Sequence, residues 1–165
     1  QEAYELLAGG LATQPEQSEL LYESALLAEK LGRHEAMEAS LRKLIRLKPE
    51  HAHAYNALGY SFAERNQRLE EAEQLVLKAL QLSPDDPFII DSMGWVLYRK
   101  GDNQGALAHL QRAFSIRPDP EIAAHLGEVL WALGRRDEAK RIWQEAAKAH
   151  PGNEVLAEVI KRFAP

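Results

Sequence analysis

The chain has 165 residues, 45% of them apolar, with 20 basic and 25 acidic side chains for a net charge of −5. That mild acidity argues against nucleic acid or an acidic membrane surface as the main partner. The sequence holds no cysteine, which excludes disulfides, zinc–thiolate sites and a cysteine nucleophile.

Five prolines punctuate the chain: Pro15, Pro49, Pro84, Pro118 and Pro151, at gaps of 34, 35, 34 and 33 residues. A fixed period of this length signals helix–turn–helix units, each covering the apolar face of the next. In chain order, helices are expected over 1–13, 17–31, 34–47, 51–65, 69–82, 86–100, 103–116, 120–133, 136–149 and 153–163. Gln1 falls in mid-helix, so the pattern reads as a piece of a longer chain that begins inside a repeat. The second helix and its later equivalents each carry a small residue: Ala25, Gly59, Gly94 and Gly127. They close on Gly32, Asn66, Gly101 and Gly134, residues suited to the left-handed conformation that ends a helix. The partner helices open on Met37, Ala72, Ala106 and Ala139 and continue through Leu41, Val76, Leu110 and Trp143. Each ends before the next periodic proline, which lacks an amide and belongs only in a helix's first turn.

Glycine inside a helix costs about 1 kcal/mol against alanine. Three glycines at one equivalent position therefore imply that two backbones approach too closely for a side chain. Ala72, Ala106 and Ala139 are expected to face that gap. From the small residue to its partner is twelve residues in three units and thirteen from Gly59 to Ala72. The extra residue belongs in the turn at Asn66-Gln67-Arg68, where length is cheap to vary. No Pro/Gly/Ser-rich linker divides the chain, so one continuous array is expected.

The run Asp91-Ser-Met-Gly-Trp-Val-Leu-Tyr98, followed by Gly101, Ala106, Leu110, Ala113 and Pro118, resembles a tetratricopeptide repeat (TPR). The resemblance extends over 52–86, 87–119 and 120–153, with a degenerate repeat at 18–51. Residues 1–17 resemble the second helix of a truncated preceding repeat, with Ala3, Leu7 and Pro15 in register, and 154–165 a C-terminal capping helix. The family implies an all-α fold, an α-solenoid of helix–turn–helix units in a right-handed superhelix. It also implies that the first helix of each pair lines the concave surface and that this surface binds protein or peptide.

On that frame, helical spacing brings Tyr60, Trp95, Tyr98 and Trp131 into an aromatic band, rimmed by His53, Asn56, Asp91, Arg99 and Glu128. Trp95 and Tyr60 are expected to be exposed, because each follows the small glycine and turns away from the second helix. Tyr55, Phe62, Phe114 and Trp143 are expected in the core. Arg135, Arg136, Lys140 and Arg141 read as a solvated helix face beside Asp137 and Glu138, and Arg42, Lys43, Arg46 and Lys48 read likewise. The lysine, asparagine and arginine clamp by which some TPR domains hold chaperone tails is replaced here by Tyr22, Leu26, Ala57, Phe88 and Ser92. The histidines make no ligand-spaced pair within a helix, and no HExxH, P-loop or GxGxxG motif occurs.

The expected function is thus a non-catalytic scaffold or adaptor with a protein or peptide partner, no cofactor, no nucleic acid and no membrane insertion by this segment. A self-associating structural module is the alternative. A closer likeness, in Asp91–Tyr98 and in Ala123-Ala-His-Leu-Gly-Glu-Val-Leu-Trp131, is to the C-terminal repeats of Gram-negative outer-membrane TPR lipoproteins. Some of these act as periplasmic adaptors for carboxyl-terminal processing proteases. That resemblance implies a periplasmic location with an outer-membrane anchor on the full-length protein, a cytoplasmic one being the alternative.

Overall fold

The computed structural model describes residues 2–14 and 16–163; Pro15, the first periodic proline, lies outside the described residues. Ten helices and no strand occur among the described residues: α1 (Glu2–Thr13), α2 (Ser18–Lys30), α3 (His34–Leu47), α4 (Ala52–Glu64), α5 (Leu69–Leu82), α6 (Pro87–Arg99), α7 (Asn103–Ile116), α8 (Pro120–Ala132), α9 (Arg136–Ala149) and α10 (Glu154–Phe163). Their bounds fall within a residue of those expected. No helix among the described residues is long and apolar enough to cross a membrane.

The chain separates into two compact units, one ending at Ser83 and the other starting at Pro84. The division needs no linker, because a repeat contacts only its neighbours and compactness is local. In the first unit α2 pairs with α3 and α4 with α5, while α1 packs on α2. In the second, α6 pairs with α7 and α8 with α9, and α10 lies against both α8 and α9. First helices also touch their successors within a unit: α2 meets α4, α6 meets α8, and α8 meets α10.

Each pairing is set by the small residue in the first helix. A Cβ on Gly59 would lie 2.7 Å from Val76 Cγ2 and 2.9 Å from the Ala72 carbonyl oxygen. On Gly94 it would lie 2.7 Å from Leu110 Cγ and 3.2 Å from the Ala106 oxygen. At Gly127 the space is filled by the Trp143 indole, whose Nε1–H donates to the Ala124 carbonyl (3.3 Å). The close approach expected from the glycines is therefore present in all three pairs.

The turns repeat one hydrogen-bond pattern. The amides of Gly32, Asn66, Gly101 and Gly134 donate to Glu29, Ala63, Tyr98 and Trp131. The following amides of Arg33, Gln67, Asp102 and Arg135 donate to Ala28, Phe62, Leu97 and Leu130. This is the Schellman closure, in which the first donor residue takes a left-handed conformation, and φ is +68°, +54°, +91° and +78° at the four positions. The turn with the extra residue holds a second left-handed residue, Arg68 at φ +48°. At the other ends, Asp86, Asp102, Asp119 and Asn153 side chains accept from the first free amides of α6, α7, α8 and α10. Capping of this kind satisfies donors that have no partner inside the helix.

Candidate functional site

The faces of the first helices were the sequence-predicted partner surface. In the first unit, α4 carries Asn56 and Tyr60, both half-buried. Asn56 Oδ1 is buried with no hydrogen-bond partner. Between α2 and α4, Ser61 Oγ donates to Glu29 Oε1 (2.8 Å), and His34 Nδ1 lies 3.1 Å from Glu29 Oε2.

The second unit holds a denser cluster. Trp95 on α6 is only 5% exposed, its ring stacked on that of His125 from α8 at 4.2 Å and 21°. His125 Nδ1 sits 3.0 Å from both carboxylate oxygens of Asp91, and all three residues are buried. The expectation of an exposed Trp95 is overturned. It does turn away from α7, but the side it turns toward is covered by α8. Its indole nitrogen is buried without a partner. Asp91 and Glu128 are likewise buried, not rim residues: Glu128 accepts from Arg162 of α10 at 2.6 Å.

The remainder of the predicted strip stays accessible. Tyr98, Arg99 and Trp131 are half-buried and Phe88 is exposed. The Arg99 guanidinium lies 5.9 Å from the Trp95 ring centre. Burial, then the Glu128 carboxylate, push the Tyr98 hydroxyl above its ordinary pKa, against the opposing influence of Arg99 and Arg162. Tyr98 is thus a neutral phenol, able to donate or accept a hydrogen bond. Phe62 and Trp143 are core residues as expected, while Tyr55 and Phe114 are half-buried.

His125 is the residue that sequence reasoning missed. Only spacings within one helix were weighed for the histidines. Asp91 and His125 are 34 residues apart, one repeat period, which sets them on successive first helices. No group of three or more metal-ligating side chains converges among the described residues.

Paired helices with a glycine contact, a Schellman turn and a proline after the second helix define a helical-hairpin repeat protein. Tetratricopeptide repeat models match residues 22–87 and 97–161, and the chain belongs to the tetratricopeptide repeat family. It is 47% identical over 128 residues to TPR repeat-containing protein PA4667 of Pseudomonas aeruginosa, an alignment taking in 78% of this chain. The chain spans 22% of that relative's length. Among solved structures it is similar to TTC0263, a thermophilic TPR protein of Thermus thermophilus, with a TM-score of 0.85, 25% identity, and 98% of this chain and 87% of that one covered. It shares its fold with YrrB, a TPR protein described as having an unusual peptide-binding site, at a TM-score of 0.67 and 22% identity over 96% and 84% of the two chains.

Proposed function

We propose that this chain is a non-catalytic scaffold that binds a protein or peptide segment on the faces of its first helices. TPR domains generally mediate protein and peptide binding, and the neighbour YrrB is described by its peptide-binding site. The observation that carries the reading is the second unit's first-helix strip. Half-buried Tyr98 and Arg99 stand beside a buried base of Trp95, His125 and Asp91, and half-buried Trp131 lies further along α8, against Trp143 and Phe163. Aromatics and arginine on a pre-ordered support are what interface hot spots favour. At a finer level, the reading is of an adaptor within a longer, outer-membrane-anchored periplasmic protein that presents a substrate to a processing protease. That part rests on the likeness of Asp91–Tyr98 and Ala123–Trp131 to such lipoproteins.

The test uses the chain as bait in a periplasmic extract, with the captured protein identified and its affinity measured. Tyr98→Ala or Trp131→Ala is expected to weaken binding about 30-fold or more, the loss of about 2 kcal/mol typical of an anchor. Gln111→Ala, an exposed position on α7, should leave binding unchanged. Trp95→Ala serves as a fold control, since it removes a buried side chain and should cost about 3–5 kcal/mol of stability. Undiminished binding by folded Tyr98 and Trp131 variants would overturn the first-helix reading. The adaptor reading fails if the full-length protein does not speed cleavage of the captured substrate by its protease.

A further inference from the structure

The basic run Arg135, Arg136, Lys140 and Arg141 is exposed, as expected of a solvated face, but its members have different neighbours. Arg135 is committed to Glu138, donating from Nε and Nη2 at 2.7 Å each. Arg136 and Lys140 turn instead to Trp131, the guanidinium carbon 5.1 Å and the ammonium nitrogen 6.0 Å from its ring. Both are exposed, and among the described residues neither makes an ion pair. The ring they approach packs 5.9 Å from Phe163 of α10 and 5.9 Å from Trp143.

Two like charges four residues apart on one helix face repel. Contact with an aromatic ring is a weak attraction for an exposed cation and leaves its N–H donors free for an acceptor. An incoming carboxylate would relieve the repulsion and pair with both cations at once. Glu128 and Glu138 are held by Arg162 and Arg135, and Asp137, beside Arg136 in the chain, makes no ion pair with either cation.

Resting on the scaffold reading above, we infer that Trp131, Arg136 and Lys140, with Phe163 beside them, form a docking point for an acidic peptide segment. Its carboxylates would lie against the two cations and an apolar side chain against the Trp131 ring. The occupant follows from local charge complementarity: two cations with no ion pair among the described residues frame a half-buried aromatic, which suits carboxylates flanking an apolar side chain.

The probe is a short fluorescein-labelled peptide of alternating Glu and Phe, measured by anisotropy against the whole chain. The same peptide with Gln for Glu, an anionic phosphatidylglycerol vesicle and a single-stranded oligonucleotide serve as comparisons. The Glu peptide should bind, and should weaken as salt rises from about 50 to about 300 mM, as screening of exposed charges requires. The double variant Arg136→Gln with Lys140→Gln should bind about tenfold more weakly or worse while melting as the wild type does, a change of about 1.4 kcal/mol. Trp131→Phe, which keeps an aromatic ring, should retain most of the binding. Equal binding of the Gln peptide, an unaffected double variant, or tighter binding to vesicle or oligonucleotide would each overturn the inference. If the double variant still captures the partner found with the wild-type bait, the docking point is wrong and the scaffold reading stands. If the wild-type bait captures nothing, the scaffold reading itself fails.

Discussion

At the scale of single residues, a missing side chain decides the pairing of three of the helical hairpins. Gly94 admits the Leu110 side chain to 2.7 Å from where a Cβ would stand, closer than a Cβ tolerates, and the Ala106 carbonyl to a tight 3.2 Å. Gly94→Leu should therefore overpack the α6–α7 contact and cost about 1–3 kcal/mol, more than the roughly 1 kcal/mol recovered by removing a helical glycine. Gly9 on α1 has open space around it, so Gly9→Ala should be neutral or stabilising. Paired thermal melts check both; a Gly94→Leu variant as stable as the wild type would disprove the close-approach account. These glycines were legible in the sequence because their cost recurs at one phase of a period. The burial of Trp95 was not, since it depends on the rotation of a neighbouring first helix, which no spacing within α6 encodes.

At the scale of elements, the first unit ties α3 to α5 through charge. Glu38 accepts from Arg42 and Arg68 at 2.8 Å each, and Arg42 reaches on to Glu71 at 2.6 Å. Arg68 also pairs with Glu71, so the left-handed residue of the enlarged turn closes the network. Burial acts to raise the Glu38 carboxyl, but the hydrogen bonds and charges of Arg42 and Arg68 outweigh it and hold the pKa below the ordinary value. A depressed carboxylate contributes stability above its unfolded pKa and loses it as pH falls through the folded one. Glu38→Gln should thus lower stability near neutral pH by at most about 1 kcal/mol, because the network is solvent-screened. The difference from wild type should shrink as pH falls through the ordinary carboxylate range and vanish only once Glu38 is protonated in the folded state as well. Melts of both proteins across that range test this, and a gap that persists in acid would show that the loss is one of packing. The turn was placed correctly from repeat arithmetic, yet its ion pairs were invisible there. Arg42 and Arg68 are 26 positions apart, and only the stacking of successive hairpins brings them onto one carboxylate.

At the scale of the whole molecule, stability is expected to be the sum of local hairpin contributions. In the second unit a continuous apolar cluster runs from Ala106 and Leu110 through Leu126, Val129 and Trp143 to Leu156 and Val159 of α10. Residues 84–165 expressed alone should therefore keep a helical circular-dichroism spectrum and melt cooperatively. A fragment with a broad, non-cooperative loss of signal would show that its order depends on the preceding repeats. The helix count, the hairpin order and the turn positions could be read from the period because each follows from residues close in sequence. The polar pairs between successive first helices could not, because they join different repeats.

Those pairs carry a consequence for how the modules can be ordered. Glu29 meets Ser61, Asp91 meets His125, and Glu128 meets Arg162, three couplings with three different chemistries. The apolar contacts between hairpins are nearly generic, so by themselves they would let one hairpin stand in for another. The couplings work as addresses: within the units they give α2, α6 and α8 each a successor it recognises. Transposing two hairpins would keep the apolar seams roughly matched but leave a buried carboxylate such as Asp91 facing the wrong neighbour. An uncompensated buried charge is severely penalised. Each unit, though assembled from similar parts, thereby acquires a fixed reading direction.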